Sequence, residues 1–226
     1  MIKYDITVRL WRALDGFAGP FGPLFKVLLL TGQRRSEVAG MRWDELRGLG
    51  TDAAVWDLPA GRSKNGQAHL VPLAPAVQAV LAAVPQTSTL VFTTTNSTAV
   101  SGFSRAKSLL DSRVAALRST EGLPPLSCWT LHDLRRTMVT IMNERLGVPP
   151  HVVEAVVNHM NGHAKRGVAG VYNRALYLTD RCEALRAWAE WVEANGCINH
   201  PILSRSPTRH DAGHASPSRT GQNGAA

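Results

Sequence analysis

The chain has 226 residues, 44% of them apolar, and a formal charge of +8. That apolar share sustains a full core and argues against disorder along the whole length, while the surplus of cations points to a polyanionic partner, nucleic acid before membrane. No run of about 18 apolar residues suggests a membrane span. The opening Met1-Ile2-Lys3-Tyr4-Asp5 lacks the layout of a signal peptide, and the widely spaced Cys128, Cys182 and Cys197 indicate neither a disulfide framework nor a Cys-x-x-Cys metal site. The chain reads as cytosolic.

Residues 4–17 place Ile6, Leu10, Leu14 and Phe17 on a helical stripe that ends at Gly19-Pro20. A nearly all-apolar run over 22–31 predicts a core helix closing on Thr31-Gly32. Gln33-Arg34-Arg35-Ser36-Glu37 follows at once. This is either an ordinary polar loop capped by Ser36 or, because a buried helix holds the position rigidly, a placed pair of arginines. Residues 54–58 and 68–73 read as two short strands around a turn rich in Gly, Ser and Asn, and Lys64 sits in that turn. A lysine at a hairpin tip is usually only solvated, although loops carry function disproportionately.

Pro75 opens an alanine-rich helix running to Val84, and Leu90-Val91-Phe92 is a candidate further strand of the sheet. Residues 102–117 return to helical spacing through Phe103, Leu109, Leu110 and Val114. Beyond Pro124-Pro125, Thr130 is a natural N-cap for a helix that carries His132 and Arg135 and ends near Gly147. Their three-residue spacing brings both side chains to one face. A planar fork of donors beside a titratable imidazole suits a non-bridging phosphate oxygen that gains charge in a transition state, although His-x-x-Arg alone also describes a solvated helix start. Pro149-Pro150 opens the next helix, ending at Asn158-His159, and a Gly-rich polar loop then leads to Val171-Tyr172-Asn173-Arg174. The Tyr172 phenol is a candidate nucleophile once deprotonated. Thr179 caps a last amphipathic helix over 179–195, and the polar remainder reads as disordered.

Taken in order, these segments resemble the catalytic domain of the tyrosine site-specific recombinases, the phage-integrase family, from about Trp11 to about Trp191. Thr31 to Glu37 resembles the family's first arginine box, with Arg34 as the catalytic arginine and Glu37 as its orienting partner. Lys64, followed by His69-Leu70-Val71-Pro72-Leu73, matches the strand-borne lysine region, and His132 with Arg135 matches the His-x-x-Arg box. Val157-Asn158-His159 resembles the Leu-Gly-His segment and gives His159 as the second histidine; the residues around Tyr172 resemble the segment of the nucleophilic tyrosine. Asn158 stands where glycine is commoner, the step from His159 to Tyr172 is thirteen residues (172 − 159), longer than the most frequent arrangement, and Tyr177 is a rival nucleophile.

The resemblance implies an α+β, mostly helical catalytic domain over residues 1–195 with a small antiparallel sheet, and a disordered basic tail over 196–226. Because the match begins so close to Met1, the expectation is a truncated prophage-type integrase without N-terminal DNA-binding domains. The implied reaction is DNA strand cleavage and rejoining through a 3′-phosphotyrosyl intermediate formed by Tyr172. Arg34 and Arg135 clamp the phosphate, Lys64 protonates the leaving oxygen, His132 assists the tyrosine and His159 hydrogen-bonds the phosphate. No cofactor or metal is called for. The implied partners are double-stranded DNA at attachment sites and further protomers in a tetramer on DNA, where the last helix docks on a neighbour. The chain is expected to be monomeric in isolation, away from membranes, in a bacterial cytoplasm. Rival readings are a non-catalytic DNA-binding remnant and a type IB topoisomerase-like activity.

Overall fold

Helix α2 (Phe21–Thr31) is the hub of the packing, because its sequence leaves almost no polar face. Leu24, Phe25, Val27, Leu28, Leu29 and Leu30 are all buried, so neighbours close on it from every side. The computed structural model describes residues 4–159 and 177–197. Around α2 lie α4 (Pro75–Ala82), α6 (Leu131–Glu144) and α8 (Leu178–Cys197), and α1 (Tyr4–Ala13) packs on α8 and α6. The short α3 (Arg35–Ala39) follows directly, α5 (Phe103–Thr120) packs on α1, and α7 (Pro150–Val156) lies between α6 and α8.

The α2 helix stops at Gly32, whose φ of 63° is left-handed and whose N–H bonds the Leu28 carbonyl at 3.0 Å. Only glycine fits comfortably there: a Cβ would sit 2.2 Å from Met138 Cε on α6. This close approach brings the end of α2 against α6.

The sheet is antiparallel in the order β1 (Leu46–Arg47), β2 (Val55–Leu58), β3 (His69–Pro72), with Leu46 opposite Trp56 and Leu58 opposite His69. The two expected strands and the turn holding Lys64 are therefore present. The third strand is not 90–92. Leu90 forms a single bridge with Arg42, and Val91 N–H bonds the Met41 carbonyl at 2.9 Å, which buries Val91 and Phe92 away from the sheet. Leu46 and Arg47 follow a 3-10 turn (Trp43–Glu45) and pair along the edge of β2 that β3 leaves free.

On α5 the buried apolar residues are Ala106, Leu110 and Val114, while Leu109 is exposed, since adjacent helical positions cannot share a face. The last helix packs within its own chain. Its Leu185, Trp188, Ala189 and Val192 are buried, and Trp188 Nε1–H donates to the Leu29 carbonyl at 2.9 Å. Trp188 is thereby both a large apolar plug and a satisfied donor.

Candidate active site

Four structural ends meet in one place: the C-terminus of α2, the start of α6, the C-terminus of α7 and the β2–β3 turn. The start of α6 is fixed by a capping box. Asp133 Oδ2 accepts from Thr130 N and Thr130 Oγ1, both at 2.8 Å, and these bonds, the backbone one foremost, hold the Asp133 carboxyl below the ordinary range. That start sets the rotation of α6 and so aims His132 and Arg135.

Arg135 is buried, and its guanidinium donates through Nη1 to the Gly32 carbonyl at 2.8 Å and through Nη2 to the Val157 carbonyl. These carbonyls lie just beyond the last turns of α2 and α7, where cations are favoured. Burial first, then repulsion from Arg34, lowers its pKa to about 10, so it remains a cation at neutral pH.

Arg34 precedes α3, and here Glu37, not Ser36, does the capping. Glu37 Oε2 accepts from Arg34 N at 3.1 Å, and Oε1 accepts from Arg34 Nη1 at 3.0 Å. The same Oε1 takes the Lys64 backbone N–H at 3.1 Å. This carboxylate is 1% exposed and satisfied by three donors, so it locks the arginine and the lysine-bearing turn to one point.

Arg62 and Glu45 complete the support and carry no distinctive sequence signal. Arg62 donates to both Glu45 carboxylate oxygens, through Nε at 2.7 Å and through Nη2, and to the Glu37 carbonyl at 3.2 Å. Trp56 Nε1–H reaches Glu45 Oε2 at 2.9 Å. The base of the turn is thus tied to the sheet and to α3.

Arg34, Lys64, His132 and Arg135 line a single cleft of about 510 Å³. Lys107 and Trp129 line it as well, with Lys107 Nζ 3.7 Å from the indole centroid. Among the described residues no carboxylate lines it. Partial burial, then Arg136 and Arg135, push the His132 imidazole below the ordinary histidine value, which favours its neutral, proton-accepting form at pH 7. Such a cleft suits an oxyanion such as a phosphodiester and offers both a base and an ammonium donor to it.

His159 does not line the cleft with these four. Its ring is largely exposed, and Nδ1 pairs with Glu154 Oε2 at 2.8 Å. Tyr172 lies outside the described residues. Tyr177 is described: its ring packs on His151 at a centroid distance of 4.9 Å, in the first turn of α7, whereas the other end of α7 reaches Arg135. Seven helical residues, about 10 Å, separate those ends.

Residues 21–177 match the model of the phage integrase family. The prophage integrase IntA of Escherichia coli (strain K12) is 32% identical over 174 residues, covering 76% of this chain and 38% of that protein. The integrase of Shigella phage Sf6 is 28% identical over 188 residues, covering 80% of this chain and 45% of that protein. Among solved structures, the fold is similar to that of a lambda integrase (75-356) dimer bound to a COC′ core site, with a TM-score of 0.51, 14% identity, and coverage of 74% of this chain and 59% of that one. The chain spans less than half the length of the curated relatives it matches. The extent of the family match, together with the fold that carries it, makes this chain a member of the phage integrase family.

Proposed function

We propose that this chain is the strand-cleaving part of a prophage-type tyrosine recombinase, which breaks and rejoins DNA through a 3′-phosphotyrosyl link. The observation that carries the reading is the convergence of Arg34, Lys64, His132 and Arg135 on one cleft that no carboxylate lines among the described residues. Tyr172 Oη attacks phosphorus, the bond from phosphorus to the 5′ oxygen breaks, and a free 5′-hydroxyl is left. One phosphate ester replaces another, so the step is near balance and calls for no nucleotide cofactor.

Arg34 and Arg135 hold the non-bridging oxygens and stabilise the charge that grows on them. His132, biased toward its neutral form, takes the phenolic proton, which a group with a reference pKa near 10 does not give up unaided at neutral pH. Lys64 delivers a proton to the departing oxygen, and His159 contributes a hydrogen bond to the phosphate once DNA is bound. Tyr172 is preferred to Tyr177 because the latter is packed on His151 at the far end of α7. The partners in this reading are double-stranded DNA at attachment sites and further copies of the protein in a tetramer on that DNA. The chain is monomeric before DNA binds, and the setting is the bacterial cytoplasm.

The test is trapping of the covalent adduct on denaturing gels. Tyr172→Phe is expected to abolish the adduct while DNA binding stays within about twofold, since the phenol makes its decisive contribution only in the chemical step. Wild-type adduct formation is expected to persist in EDTA. Adducts surviving in Tyr172→Phe would move the nucleophile elsewhere, and a loss restored by Mg²⁺ would replace the mechanism with a metal-dependent one.

A further inference from the structure

Lys64 differs from its companions in the cleft in resting on a turn, whereas His132 and Arg135 ride on α6 and Arg34 adjoins α3. Glu37 holds its backbone N–H at 3.1 Å, and the residues on either side are tied as well. Ser63 Oγ donates to Asn65 Oδ1 at 2.7 Å, and Asn65 Nδ2 donates to the Asn158 carbonyl at 3.1 Å. The Asn158 amide returns the contact, with Nδ2 donating to Asn65 Oδ1 at 3.3 Å and to Ser63 Oγ at 3.4 Å. Asn158 is 7% exposed and has a left-handed φ of 48°, a region asparagine enters more readily than most residues. Glycine would fit that backbone with less strain. What asparagine adds is the amide, and the amide is spent on the two residues flanking Lys64.

We propose that Asn158 is a positioning residue for Lys64, closing a ring of hydrogen bonds that holds the β2–β3 turn so that the ammonium stands at the departing 5′ oxygen. This rests on the proton-donor role given to Lys64 above. In that step the phosphorus–oxygen bond breaks as a proton passes from Lys64 Nζ to the oxygen, while Tyr172 Oη takes its place on phosphorus. Asn158 touches none of these atoms and acts only through the place of the lysine.

Asn158→Gly keeps the backbone shape and deletes the amide. Two measurements on the full chain decide the matter. Hydrogen exchange of the peptide spanning residues 60–67 is expected to quicken several-fold while that of α2 is unchanged; unchanged exchange in the turn overturns the proposal. Single-turnover adduct formation is then compared on an attachment-core duplex and on the same duplex with sulfur replacing the bridging 5′ oxygen. A thiolate leaves without a proton. Asn158→Gly is therefore expected to slow the oxygen substrate by about tenfold or more and the sulfur substrate by less than about twofold. Asn65→Ala should behave alike, and the double variant should be no worse than either single one. Equal slowing of both substrates would mean that the ring merely supports the fold, and would overturn the proposal. Lys64→Ala is the control: if sulfur does not rescue it, the proton-donor reading fails, whereas rescue of Lys64→Ala but not of Asn158→Gly defeats the positioning role alone.

Discussion

His69 shows how a single side chain can be functional-looking in sequence and structural in fact. It lies in the segment that resembles the family's lysine region, yet it is buried on β3 with Nε2 3.1 Å from the Val156 carbonyl. Burial, reinforced by Arg181, lowers its pKa to about 3. The unfolded chain takes up a proton near pH 6.5 that folded His69 refuses until about pH 3, so its contribution to stability is complete above pH 6.5 and is lost as pH falls through that window. The loss approaches about 1.4 kcal/mol per pH unit at its steepest. His69→Gln keeps a donor for Val156 but cannot titrate. Urea unfolding at pH 7 and pH 5 should show a smaller drop for the variant than for the wild type; equal drops would mean that other groups govern the acid limb.

At the level of elements, the join between α2 and α6 decides whether the cleft forms. Gly32→Ala meets both a left-handed backbone and the Met138 side chain, and should lower unfolding stability by about 2 kcal/mol, measured by urea titration. A change below about 0.5 kcal/mol would show that Met138 moves aside and the backbone relaxes at little cost. The longer helices were legible because their apolar spacing is strong, and α2 most of all because it has almost no polar face, whereas the five-residue α3 was too short to announce itself. The two-residue β1 was not, since so short a strand has no alternation to detect. Leu90-Val91-Phe92 has strand-like composition, but pattern alone does not distinguish a sheet strand from one bridged and buried in a loop. In the site, Arg34 and Glu37 are three residues apart and could be paired by eye. Arg62 with Glu45 (17 apart) and Asn65 with Asn158 (93 apart) meet only once the chain has folded. The support of the cleft was therefore hidden where four of the residues that line it were not.

For the whole molecule, the charge has a direction as well as a sign. The surplus of +8 includes Arg34, Arg35, Lys64 and Arg135 on one cleft, whereas Lys107, which also lines it, is already held by Asp111 at 2.7 Å. If these four meet phosphates as proposed, the affinity for duplex DNA is expected to fall about a hundredfold between about 50 and about 200 mM salt. A gel-shift titration across that range checks it, and a response below about threefold would remove the cleft from the DNA-binding surface. The cleft also has a mechanical identity. Arg135 is a strut besides the clamp proposed for it, because its fork joins the ends of α2 and α7 to α6. Genetics will feel this: an allele that loses Arg135 is expected to lose architecture together with the clamp proposed for it, and its phenotype does not isolate the chemical step. On the proposed function, a silent but well-folded protein, able to occupy DNA and block an active copy, is better sought at Lys64, which lines the cleft from the β2–β3 turn.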